Sequence, residues 1–313
     1  MKTLKIVEKS KIWFVISIIL IVISIGSLAV RGLNFGIDFQ GGTIITINLH
    51  TEFNTDDVRA ITDSYDEAAE ITYSGDSREN VVISTKESLD QNQRQEIFNQ
   101  FKEKYSLEDS DLISANQVSG TISSETTRNA VLASAVAIVL MLIYITFRFE
   151  FLFGVSAIIA LLHDIIVVIG VYALFQIQVN SPFIAAILTI LGYSINDTIV
   201  VFDRIRENEG KMGTRDINNL VNSSITQTMK RSLFTVITTL LAVLALFILG
   251  PDSIKEFTLP LIVGIACGCY SSIFVASPLW VLFQNKTGGL HKKGSQKRNK
   301  KTATKNRNRE PQL

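Results

Sequence analysis

Cysteine, histidine and charge are all scarce in this chain: two cysteines, three histidines and 19% charged residues in 313 positions. Cys267 and Cys269 stand two apart in an apolar run, where helical geometry turns their side chains about 200° from each other. That spacing excludes a disulfide framework or a zinc site built from them. His163 has no second His or Cys at ligand spacing and reads as a hydrogen-bonded interior residue, so no metal is expected. Gly210 and Lys211 resemble the end of a phosphate loop, but Ile205 stands where the first glycine belongs and Met212 where Ser or Thr should follow. No cofactor, nucleotide site or catalytic centre is expected, and the chain reads as a non-enzyme.

The chain is instead rich in apolar side chains, at 47%, and these are gathered into runs. Crossing about 30 Å of hydrocarbon takes roughly 20 helical residues. Six stretches qualify, at 12–30, 129–147, 151–176, 182–202, 232–250 and 257–283. The first is too long for a signal peptide and lacks a small-residue cleavage pattern, so it is expected to remain in the mature protein.

The charges between these runs orient them, because Lys and Arg near helix ends are retained inside. Lys2, Lys5, Lys9 and Lys11 precede the first span, Arg148 follows the second, and Arg204, Arg206, Lys211, Arg215 and Lys230 lie between the fourth and fifth. Ten basic residues and Glu310 alone follow Phe283. Segment 31–128 is the opposite, with 18 acidic against 8 basic residues, a net charge of −10. The expected division is a cytoplasmic N-terminus with the first span (1–30), an extracytoplasmic domain (31–128), five further spans with a cytoplasmic loop at 203–231 (129–283), and a disordered basic cytoplasmic tail (284–313). That tail reads as a topology anchor and loose contact for anionic lipids, rather than a specific nucleic-acid site.

Within 31–128, residues 42–49 alternate as a strand does, 55–65 carry Val58, Ile61 and Tyr65 at helical spacing, and 70–73 and 80–84 read as strands joined by Ser74, Gly75 and Asp76. A second helix at 91–105 and a last strand at 117–119 complete the order βαββαβ, which predicts a ferredoxin-like α/β module. The predicted fold class is therefore a polytopic α-helical membrane protein of six transmembrane helices, with one extracytoplasmic ferredoxin-like domain between helices one and two.

Polar groups inside the spans are the places to look for function, since an ionised side chain there costs several kcal/mol unless paired or hydrated. Asp164 lies in the third span beside His163, Asp197 in the fourth beside Asn196, and Arg231 opens the fifth. Asp197 shares a helical face with Tyr193 and Arg204, and Arg231 shares one with Gln227, Thr235 and Thr238. Two polar stripes on consecutive helices can wall a hydrated path; the competing reading is a static Asp197–Arg231 ion pair that staples two helices. Gly264 and Gly268 form a small-residue face suited to helix packing.

Three segments then resemble one family. Phe35, Gly36, Ile37, Asp38, Phe39, Gln40, Gly41 and Gly42 follow the pattern FGIDFxGG, residues 192–208 read GYSINDTIVVFDRIREN, and residues 270–279 read YSSIFVASPL. With the LHD at 162–164 and the single large loop after the first span, the chain resembles the SecD/SecF family of protein translocase subunits, within the resistance-nodulation-division superfamily. The resemblance implies pairing with the homologous six-helix subunit SecD, work beside the SecYEG channel and YajC, contact with unfolded exported polypeptides and membrane lipids, and use of the proton-motive force. It also implies a proton pathway through Asp197 and Arg231, with Asp164 as a further intramembrane group, and a structural motif at Gly36, Asp38, Gly41 and Gly42 joining the first span to the outer domain. A proton-driven small-molecule or lipid exporter of the same superfamily is the alternative, though such a protomer usually carries a second six-helix half. A purely structural assembly subunit would tolerate a neutral residue in place of Asp197.

Overall fold

The structure, a computed structural model, describes residues 3–74, 79–213 and 216–287. Gly75 and Asp76 of the expected turn, Arg215, and the basic tail from residue 288 lie outside the described residues.

Among the described residues six helices are long and apolar enough to cross a membrane, and the chain is a multi-pass membrane protein. Helix α1 (Ser10–Arg31) is the first. The second, α5 (Gly120–Arg148), starts nine residues earlier than the apolar run, because Ser119 caps it and Gly120 to Arg128 continue the helix beyond the hydrocarbon. Helix α6 (Phe151–Phe175) follows, then α7 (Ser181–Met212) and α8 (Ile217–Leu249). Of segment 203–231, expected as a loop, residues 203–212 and 217–231 are therefore helical. Apolar residues continue there at helical spacing, with Ile205, Leu220, Val221 and Ile225 fully buried. The last span is α9 (Asp252–Ser271), a π-helical turn at Ser272–Ala276, and α10 (Ser277–Thr287).

Burial sorts these helices. About half of the apolar window is buried in α6, α7 and the last span (56%, 44% and 56%), against 11%, 6% and 17% for α1, α5 and α8. The first three form the centre, and the others are left to face lipid or a partner. A stack of Phe153 on Trp280, with ring centroids 4.4 Å apart, and Phe202 at 4.7 Å from Phe153 fills one end of that centre. The glycine face packs as its spacing predicts. A Cβ on Gly264 would stand 2.3 Å from Ile190, and one on Gly268 3.0 Å from Ser194, so α9 and α7 meet closely there.

The outer domain follows its predicted order. Strand β2 (Gly42–Asn48), helix α3 (Thr55–Thr62), strands β3 (Glu70–Ser74) and β4 (Asn80–Thr85), helix α4 (Gln91–Tyr105) and strand β5 (Leu112–Val118) form an antiparallel sheet of order β3-β4-β2-β5. Ile45, Ile47, Val81 and Ile83 point to one face and are closed over by Val58, Ile97, Phe98 and Phe101 from the two helices. Strand β5 starts five residues before the short strand expected at 117–119, because Leu112 and Ala115 also pack inward.

Two small elements between α1 and the domain had no periodic signal. Strand β1 (Asn34–Phe35) pairs in parallel with β6 (Gln178–Val179), and α2 (Ile37–Gln40) is one helical turn.

Candidate functional site

The two intramembrane carboxylates stand in unlike surroundings. Asp164 on α6 has no exposed surface and is enclosed by donors from three helices. Ser194 of α7 and Ser271 of α9 each donate a hydroxyl to its Oδ2 at 2.7 Å, Cys267 of α9 donates its thiol to Oδ1 at 3.3 Å, and His163 Nδ1 lies 3.0 Å from Oδ1. Both oxygens are satisfied, as a buried carboxylate requires. His163 Nε2 is buried without a partner.

Cys267 was not recognisable as a member of this group, because 104 residues separate it from His163. Cys267 and Cys269 point away from each other along their helix, whereas the fold sets Cys267 against α6. The donor atoms of His163, Asp164 and Cys267 lie within 4.8 Å of one another, the only described grouping able to share a metal ion, so the expectation that no such grouping exists is corrected. Here the three hold one another through hydrogen bonds and a carboxylate already oriented by two serines.

Asp197 on α7 faces α8 and its Oδ2 is buried with no hydrogen-bond partner. Its polar neighbours are Ser232 and Arg231 of α8, and the Ser232 hydroxyl, buried with no other partner, stands next to the carboxylate. Among the described residues no ion pair joins Asp197 to Arg231, so the static staple is not formed. The two polar stripes do meet. The Tyr193 hydroxyl reaches the Thr235 carbonyl at 3.1 Å and the Thr239 hydroxyl at 2.6 Å, and Asn208 donates to Ser224 at 2.9 Å and Gln227 at 3.0 Å. Below them a cavity of about 670 Å³ reaches Asn196, next to Asp197, and is bounded by Gln227, Thr228 and Arg231. This gap between α7 and α8 ends at Asn196, and Asp197 itself does not line it. The arrangement suits reversible protonation, and among the described residues no nucleophile with an oriented base lines it.

The glycine and Asp38 motif forms a junction with the start of α7. Asp38 Oδ2 accepts the Ser181 backbone N–H at 2.8 Å, and so caps a 32-residue helix whose own N-cap residue, Asn180, contributes no side-chain cap. The Gly36 N–H donates to the Val179 carbonyl at 2.9 Å, and a Cβ on Gly36 would fall on the Asn180 side chain. Gly41 and Gly42 have φ of +82° and +143°, and a Cβ on Gly42 would lie 2.1 Å from the Thr85 carbonyl oxygen. Asn180 in turn donates to Glu256 of α9 at 3.0 Å.

At the same junction Glu70 of β3 is raised above the usual carboxylate range, first by burial and then by the charge of Glu256, with Lys86 opposing. On the domain's far side Asp111 is held below that range, chiefly by the Glu108 backbone N–H and then by His50.

Comparison with known proteins follows the same division of the chain. The family pattern described as "Protein export membrane protein SecD/SecF, C-terminal" matches residues 97–286, and the "SecD/SecF GG Motif" matches residues 26–52. The chain is 38% identical over 288 residues to the "Protein translocase subunit SecF" of Sebaldella termitidis, covering 90% of this chain and 92% of that one. It is also 38% identical to the subunit of the same name from Petrotoga mobilis, covering 89% and 95%. The crystal structure of SecDF, a translocon-associated membrane protein from Thermus thermophilus, superposes with a TM-score of 0.79 at 35% identity over 90% of this chain. The chain spans 39% of the length of that SecDF chain. The chain therefore belongs to the SecD/SecF family of protein export membrane proteins.

Proposed function

We propose that this chain is one six-helix half of a SecD–SecF complex that assists polypeptide export beside SecYEG and YajC by consuming the proton-motive force. Its coverage of about two fifths of a solved SecDF chain supports this, since the remainder leaves room for the SecD half. The termini are cytoplasmic, residues 31–128 lie outside, and the protein is multi-pass in the cytoplasmic membrane; the acidic outer domain against basic ends and loops supports that orientation.

The observation that carries the mechanism is the buried Oδ2 of Asp197, without a hydrogen bond of normal geometry, on a helix whose next turn toward the basic end lines a cavity with Arg231. Asp197 takes up a proton from one side and releases it to the other. Arg231, a permanent cation, favours the ionised carboxylate when it approaches and the neutral one when it withdraws. Ordered movement of α7 against α8 couples this to the outer domain, because α7 runs about 24 Å from its Asp38 cap to Asp197. The domain acts on the emerging chain by movement, with weak sequence-independent contacts to unfolded polypeptide.

The test is export of a reporter preprotein into membrane vesicles carrying the protein and its partner, with and without a proton gradient. Asp197→Asn keeps the shape and cannot titrate. The gradient-dependent part of export is expected to fall at least tenfold while the ATP-driven part persists. Wild-type gradient dependence in a folded, assembled Asp197→Asn protein would sink the proposal.

A further inference from the structure

Four guanidinium groups converge on the cavity at the end of α7 and α8: those of Arg148, Arg204, Arg206 and Arg231. Two carboxylates, Asp203 and Glu207, share the lining, which leaves a net charge of about +2 around about 670 Å³. A topological role for these arginines requires only that they lie on one side of the membrane. It does not require them to face one space.

The protein also holds them in place. Arg148 pairs with Asp203 at 3.2 Å and lies over the Phe149 ring, Arg206 donates to the Arg148 carbonyl at 3.1 Å, and Arg204 pairs with Glu207 at 2.8 Å. Each guanidinium carries five N–H donors and spends few of them on these bonds. Arg231 forms no ion pair among the described residues.

The surroundings fix which anion fits. Ile199 and Val200 line the same cavity, so its wall is part apolar. Phe147, 90% exposed, precedes Arg148 on α5, and Phe234, 65% exposed, follows Arg231 by about one turn on α8, both on membrane-facing helices. A phosphate diester carrying acyl chains meets both features, because guanidinium forks match its oxygens and the chains lie along those two helices. A free phosphate would use only the first.

We propose that this cavity binds the headgroup of an anionic phospholipid, with Arg148, Arg204, Arg206 and Arg231 as its ligands. Binding concerns the cavity alone and does not depend on Asp197 carrying a proton. It has a consequence for Arg231, whose guanidinium would be shared between the phosphate and the α7–α8 gap.

The test is native mass spectrometry of the full chain released from nanodiscs containing equal phosphatidylglycerol and phosphatidylethanolamine. The wild type should retain at least fivefold more phosphatidylglycerol than phosphatidylethanolamine. Arg148→Gln with Arg206→Gln should cut the retained phosphatidylglycerol at least fivefold, while Lys104→Gln in the outer domain should leave it unchanged. Arg206→Gln alone, at an exposed side chain, serves if the double variant does not fold. Inorganic phosphate at millimolar concentration should not displace the lipid. Equal retention of the two lipids by the wild type, or wild-type retention by a folded arginine variant, would overturn the assignment. Displacement by inorganic phosphate would make the cavity a free-anion site and overturn it equally.

Discussion

Asp164 and Asp197 are carboxylates on adjacent central helices, about 30 residues apart in sequence, and they solve the same physical problem in opposite ways. Asp164 is surrounded by hydroxyl, thiol and imidazole groups from α6, α7 and α9. Asp197 has an oxygen with no partner and a neighbouring cation that does not touch it. A group whose donors are all in place resists any change of charge or position, because each donor would have to be re-satisfied. A group with an unfilled hydrogen-bonding position changes state more cheaply. Under the proposed function Asp164 holds and Asp197 switches, although the family resemblance groups both in one proton pathway.

The largest expected effect breaks the holding half of this pair. Asp164→Leu strands the hydrogens of Ser194 and Cys267 and leaves Ser271 only the Gly268 carbonyl at 3.2 Å, at about 1–3 kcal/mol for each buried donor left unpaired. Thermal melting in detergent should show a loss of at least about 3 kcal/mol, while Asp197→Leu should change stability by less than about 1 kcal/mol. Equal losses would erase the distinction between the two sites.

Charge at the switching site comes next. Arg231→Met should abolish the gradient-dependent part of export, and Arg231→Lys should keep a fraction of it, because the charge survives and the planar fork does not. If both variants export as the wild type does, Arg231 only anchors the end of the helix.

A finer cut removes one hydroxyl from each side. Ser194→Ala should destabilise by about 1 kcal/mol through the lost bond to Asp164. Ser232→Ala should destabilise by less than that, since the Ser232 hydroxyl stands beside Asp197 without a hydrogen bond of normal geometry. The reverse order in a melting series would show that the bonds around Asp164 are not what holds the helices.

The smallest effect uses carboxylates outside the membrane, where burial and partners again act in opposite directions. Glu70 is raised when folded, so its contribution is complete at low pH and is lost as pH rises through its folded value. Asp111 is lowered when folded, so its contribution is present at neutral pH and is lost as pH falls through its folded value. Melting of the outer domain should therefore gain from Glu70→Gln only above the ordinary glutamate range, and suffer from Asp111→Asn at every pH above the ordinary aspartate range, mild acid included, but not in strong acid. Effects of the same sign at the same pH would contradict the two environments.

Much of this was legible in the chain because its signals are periodic or charged. The spans, the βαββαβ order, Asp164, Asp197 and Arg231 all announce themselves through hydropathy, alternation or a charge in an apolar run. What was hidden depends on pairings between distant segments. Cys267 and Ser271 show no relation to Asp164 until α9 lies against α6, and β1 and β6 are two residues each and acquire strand character only from one another. The extension of α7 and α8 was hidden for another reason. Charged residues at 203–211 mask a helical stripe in which Ile205 and Asn208 are buried.

The bond from Asp38 to Ser181 has a further consequence, for the order of assembly. Its two ends are 143 residues apart, and the parallel pairing of Asn34 and Phe35 with Gln178 and Val179 spans a similar distance. Neither can form until the chain between them has been made and threaded through the membrane as α5 and α6. The outer domain's sheet closes through strands between residues 42 and 118 and is complete long before that. During synthesis the domain is therefore folded while its inner attachment is still open, and the emergence of residue 181 from the ribosome is the earliest moment at which it can be fastened to the helix that carries Asp197.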